Sequence, residues 1–163
     1  MATLHVMCGI PGSGKSTWAK EHLTRTDQYV SRDDIRFSYI NPGEDYFSKE
    51  DDVWAEFTRR INESLELGFN VFADATHINP GSRRKLLNAV KGYDEVDIVY
   101  INTPLCTALE RNELRKDTER YVPRSVIKRM SYQFEEPTFD EGFNVIYVIN
   151  PDMKIEVRRS DIG

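Results

Sequence analysis

At 163 residues and 19.0 kDa, the chain fits one domain, long enough to bury about two thirds of the surface its unfolded form exposes. Hydrophobic residues at 39% and charged ones at 30% are globular proportions, and no apolar run approaches the roughly 20 residues that span a bilayer. A net charge of −5 argues against a protein that clamps long stretches of nucleic acid through a broad basic surface, and leaves room for contact with a few terminal nucleotides.

In chain order, strand-like and helix-like stretches alternate, the pattern of an α/β protein with a parallel sheet covered by helices on both faces. The apolar run Leu4 to Cys8 predicts a first strand, followed by Gly9-Ile10-Pro11-Gly12-Ser13-Gly14-Lys15-Ser16 and then a helical stretch from Thr17. That is the G-x-x-x-x-G-K-[ST] phosphate-binding pattern in the strand, loop and helix setting it requires. Gln28 to Ser31 reads as a second strand. An acidic loop through Asn41-Pro42-Gly43 precedes a helix on which Val53, Trp54, Phe57, Ile61 and Leu65 share a face, with Ser48 and Asp51 at capping-box spacing and Gly68 as the stop. Phe69 to Ala73 predicts a buried strand ending in Asp74. Asn79-Pro80 opens a helix carrying Leu86, Leu87 and Val90.

Val96 to Ile101 is a fourth predicted strand, and Pro104 and Pro123 each open a helix, the second with Val126, Ile127 and Met130 inward. The polar segment Arg115 to Tyr121 lies between them. Phe143 to Ile149 predicts the last central strand, and residues 149–163 form a tail or an added edge strand. One domain, 1–163, is therefore expected. No signal-type segment opens the chain, so a cytoplasmic protein without a membrane or an obligate protein partner is expected. Cys8 and Cys106 match no metal or redox spacing and read as reduced thiols, and the three histidines are scattered.

The chemistry centres on the glycine-rich loop. Gly9, Gly12 and Gly14 let backbone N–H groups turn inward as a nest for phosphate oxygens, with Pro11, Ser13 and Thr17 completing the loop. Lys15 is expected on the β- and γ-phosphates of ATP and Ser16 on a magnesium ion. Asp74, an acid at a strand end, is the second candidate metal support. After the second strand, Asp33 and Arg36 stand three positions apart, one side of a helical turn: a carboxylate to take an acceptor's proton and a guanidinium to hold an anionic acceptor. The bland reading is that Asp33 or Asp34 caps a short helix. Arg111 and Arg115, one turn apart, suit the charge that builds on a transferring phosphoryl group, or else form a solvated face. Phe134 to Phe143 is either an aromatic border to a nucleotide base or a packed connection.

The loop Gly9 to Ala19, Ser31-Arg32-Asp33-Asp34-Ile35-Arg36, Asp74 to Pro80, and Arg111 through Val122-Pro123 together resemble the kinase domain of the 5′-hydroxyl polynucleotide kinases, over residues 3 to about 149. The resemblance implies a P-loop kinase fold with a helical lid, with ATP and Mg2+ as cofactors and the 5′-hydroxyl end of DNA or RNA as substrate. It implies Asp33 as general base, Arg36 on the acceptor phosphate, and Arg115 as the lid arginine. Asp74 falls one residue earlier than in viral members, with Ala75 in the matching slot, and a D-x-D-x-T phosphatase motif is absent. A small-molecule kinase acting on a nucleoside, sugar or antibiotic is the alternative, and a non-catalytic nucleotide switch ranks last.

Overall fold

The computed structural model describes residues 1–160. Six strands form one sheet in the order β2-β3-β1-β4-β5-β6: β1 is Thr3–Cys8, β2 Asp27–Ser31, β3 Asn70–Asp74, β4 Glu95–Ile101, β5 Val145–Ile149 and β6 Ile155–Arg159. β1 to β5 run parallel and β6 lies antiparallel on β5, so the tail is an edge strand. Residues 161–163 of the predicted tail lie outside the described residues.

The period-2 alternation of the strands sorts their side chains onto two faces. Leu4, Val6, Val71, Ala73, Val96, Ile98, Ile146 and Val148 form the larger core with α2 (Arg32–Tyr39), α3 (Glu50–Glu66) and α4 (Pro80–Ala89). Met7, Phe72, Val99, Ile101 and Ile149 pack on the other side against Trp18 and Ala19 of α1 (Lys15–Glu21). On α3, Val53, Phe57, Ile61 and Leu65 are buried at helical spacing, and Gly68 turns the chain out at φ 89°. A third cluster joins Ile10, Tyr46, Val122, α5 (Leu105–Glu113) and α6 (Arg124–Gln133) above the carboxyl ends of the strands.

Two local expectations change. The predicted Ser48/Asp51 capping box is not made, because α3 starts one residue later with Lys49 at its N-cap, and Ser48 bonds Glu44 instead. The capping box forms at α4, where Asn79 and Ser82 exchange side-chain and backbone bonds on either side of Pro80. The lid between α5 and α6 is exposed and built of turns over residues 114–120 rather than of helix.

Candidate active site

Parallel strands end together, so the loops after β1, β2, β3 and β4 meet at one edge of the sheet. β1 gives way to residues 9–14, and Gly14 takes the left-handed conformation, φ 99°, that turns the chain into α1. Lys15 lies back across the loop, its Nζ donating to the Ile10 carbonyl at 3.0 Å and to Ser13 Oγ at 3.5 Å. The Ser16 hydroxyl donates to Asp74 Oδ2 at 2.8 Å, and the Tyr29 hydroxyl donates to the same oxygen. Burial pushes the Asp74 carboxyl above its ordinary range, against the opposing pull of Lys15 and those two hydroxyls. Two hard oxygen donors in contact beside a phosphate loop suit Mg2+.

A cavity of about 400 Å³ opens beside the loop. Ser13, Gly14, Thr17 and Trp18 form one wall, Arg111 and Arg115 the lid side, and the β5–β6 turn from Asn150 to Met153 the far wall. Arg111 Nη1 donates to the Ser13 carbonyl at 3.0 Å, which ties α5 to the loop. Gly9 closes the loop's other end, its N–H donating to the Thr76 carbonyl at 3.0 Å, and Pro11 is buried in the turn between Gly9 and Gly12.

A second hollow, about 100 Å³, is lined by Asp33, Arg36, Tyr46, Phe47, Met130 and Thr76 among others, Thr76 being the residue whose carbonyl accepts from Gly9. α2 is capped by Ser31, whose Oγ accepts from the Asp34 N–H at 3.1 Å, so Asp33 is not used as the cap. Its side chain stays 40% exposed. Arg36 Nη1 donates to Asp33 Oδ1, and the Tyr46 hydroxyl donates to the same oxygen at 3.0 Å. Arg36 is itself gripped by Glu50, through Nε at 2.6 Å and Nη2 at 3.1 Å, and lies 4.5 Å from the Tyr46 ring centroid. Arg32 donates to the same Glu50 carboxylate at 2.9 Å. Burial opposes the charge on Arg36, but the Glu50 bonds and the Asp33 carboxylate outweigh it and raise its pKa. The mirror effect holds Glu50 below its usual range despite its burial.

Of the predicted site residues, Ser13, Gly14, Thr17, Arg111 and Arg115 line the large cavity and Asp33 and Arg36 the small one, while Lys15, lying across the loop, and the bonded pair Ser16 and Asp74 line neither. Phe134 to Phe143 belongs to neither: Phe134 stacks on Tyr100 with centroids 4.9 Å apart, Phe143 is buried in the core, and Glu141 pairs with Arg83 at 2.6 Å. It is the packed connection. The aromatic at the large cavity is Trp18, with the Asn150–Met153 turn opposite. Glu50 and Tyr46 escaped the sequence reading, since an acid in an acidic stretch carries no local mark of pairing with an arginine 14 positions earlier.

The sequence profile of the AAA domain family matches residues 4–137. Among solved structures, a chain of the Pnkp1/Rnl/Hen1 RNA repair complex superimposes with a TM-score of 0.70 at 24% identity over 81% of this protein, which spans 43% of that chain's length. Kti12 from Chaetomium thermophilum, solved with ADP-AlF3, matches at TM-score 0.69 and 19% identity, covering 91% of this chain and 89% of its own. A sugar kinase from a Janibacter species matches at 0.65 and 18%, covering 91% and 85%. Likeness at these identities is one of fold, a kinase-like P-loop fold with a mostly parallel six-stranded sheet.

Proposed function

We propose that this chain, which belongs to the AAA domain family, is a phosphotransferase that moves the γ-phosphate of ATP to the 5′-hydroxyl end of DNA or RNA. The observation that carries the reading is the Asp33 carboxylate, partly in solvent and held by Arg36 and Tyr46, in a hollow lined also by Thr76, whose carbonyl accepts from Gly9 of the phosphate loop. Both bonds fall on Oδ1, and no bond to Oδ2 occurs among the described residues. Oδ2 is then the atom that accepts the hydroxyl proton as the oxygen attacks phosphorus. Lys15 and the loop N–H groups hold the donor phosphates, and Arg111 and Arg115 offset charge on the transferring group from the lid side. Ser16 and Asp74 are the residues that would hold Mg2+, which when bound neutralises part of the phosphate charge.

A nucleic-acid acceptor is supported by the likeness to the RNA repair chain and by the sequence resemblance around Asp33 and Arg36. A small-alcohol acceptor is the second reading. The acceptor hollow is about 100 Å³, and the sugar kinase is matched over a larger share of its length, 85% against 43%. Incubation with γ-labelled ATP and a 5′-hydroxyl DNA oligonucleotide, its RNA equivalent, or a panel of sugars and nucleosides separates the two. Label on oligonucleotide ends supports the first reading, and label only on small alcohols replaces it with the second.

A further inference from the structure

All five residues of β6 are exposed, and Ile155 and Val157 leave 51% and 48% of their surface in solvent, with Met153 just before them at 68%. Among the described residues the strand pairs with β5 on one side and with no strand on the other. An open edge that carries apolar side chains is a template for one more strand. The order of charges on this edge selects which strand.

Glu156 and Arg158 share one face of the strand, 3.1 Å apart, with Val157 between them on the opposite face. Set two copies of β6 antiparallel and centre them on Val157. Val157 then opposes its own counterpart, Glu156 of each copy opposes Arg158 of the other, and Ile155 lies opposite the Arg159 stem. Residues directly opposite in an antiparallel pair point to the same face, so both Glu–Arg pairs and the Val–Val pair are direct neighbours. Moving the centre by one residue, to Glu156 or to Arg158, sets like charges against each other, which disfavours those registers.

We propose that β6 is a homodimer interface: two copies of this chain join edge to edge through Ile155–Arg159, antiparallel and centred on Val157, into one continuous sheet. The partner is a second copy because the strand Ile155–Arg159 is its own electrostatic complement when centred on Val157. The β5–β6 turn, whose Met153 forms part of the far wall of the large cavity, lies directly beside the join.

The test is sedimentation equilibrium of the intact chain from about 1 to 200 µM, the range in which a small interface associates. The expected result is a mass that rises with concentration from 19.0 kDa toward twice that value. Glu156→Arg sets arginine against arginine at both ends of the join and is expected to weaken association at least tenfold. Adding Arg158→Glu to it re-creates both pairs with their signs exchanged and is expected to restore association. A wild-type chain that stays monomeric throughout, a dimer that Glu156→Arg leaves unchanged, or a double variant that stays as weak as the single one would overturn the proposal. Circular dichroism of each variant confirms that these exposed substitutions leave the fold intact.

Discussion

A β-carbon placed on Gly12 would lie 2.6 Å from the carbonyl oxygen of Ala108, because the phosphate loop is pressed against the middle of α5. The glycine also sits at φ 81°, where a side chain is strained. Gly12 is thus fixed by packing as well as by its expected role in turning N–H groups toward phosphate.

Gly12→Ala should therefore cost about 2 kcal/mol or more of stability, through left-handed strain and a backbone clash that no rotamer change relieves. Thermal denaturation measures the loss. Calorimetric titration with ATP should show weakened binding as well, since α5 carries Arg111 onto the same loop.

Asp33→Asn keeps the size of the side chain and removes its basicity. Transfer to the acceptor should fall by about 10²- to 10⁴-fold, the usual worth of a general base, while ATP affinity stays within about twofold. Single-turnover transfer and nucleotide titration on the same preparation check the two halves. Undiminished transfer would remove Asp33 from the reaction.

Glu50 holds both Arg36 and Arg32, and Arg36 is only 5% exposed. Glu50→Ala leaves a buried cation short of its partner, which costs about 3–5 kcal/mol when burial is complete and about 2–3 kcal/mol here, where a quarter of Glu50 meets solvent. Urea denaturation should show this as a lower midpoint at unchanged slope. Transfer should also slow, since Arg36 is what orients Asp33.

His77 is buried, and burial pushes its imidazole down to about 4 from an ordinary 6.5. The fold therefore favours the neutral ring. Its contribution is whole above pH 6.5 and is lost as the pH falls toward 4, because the unfolded chain takes up a proton that the folded one refuses. The full swing is about 3 kcal/mol. His77 also sits at φ 43°, a conformation asparagine tolerates, so His77→Asn should fold and flatten the decline in stability between about pH 6.5 and 4. Denaturation midpoints of the two proteins across that range are the measurement.

The strongest local signals in the sequence reappear in the structure. The glycine loop, the strand before it and the helix after it are specified by residues within a few positions of one another, and so is the hydrophobic stripe on α3. The Ser48/Asp51 cap failed for the same local reason that the Asn79/Ser82 cap succeeded. Spacing alone allows both boxes, and the start of the helix decides between them. The loop Phe134 to Phe143 had two readings because aromatic composition does not say whether rings face a ligand or a core.

What the sequence by itself determined was the alternation of strands and helices, the phosphate loop with Lys15 and Ser16, and the adjacency of Asp33 and Arg36 on one helical turn. Each depends on backbone periodicity and near neighbours, whose spacing the chain fixes directly. Only the tertiary structure decided that Tyr29 joins Ser16 on Asp74, that Glu50 grips Arg36 from the start of another helix, and that Trp18 and the Asn150–Met153 turn wall the large cavity. Those relations follow from strand order and from which polar groups are buried together, and burial is a property of the packed whole that no short stretch of sequence carries.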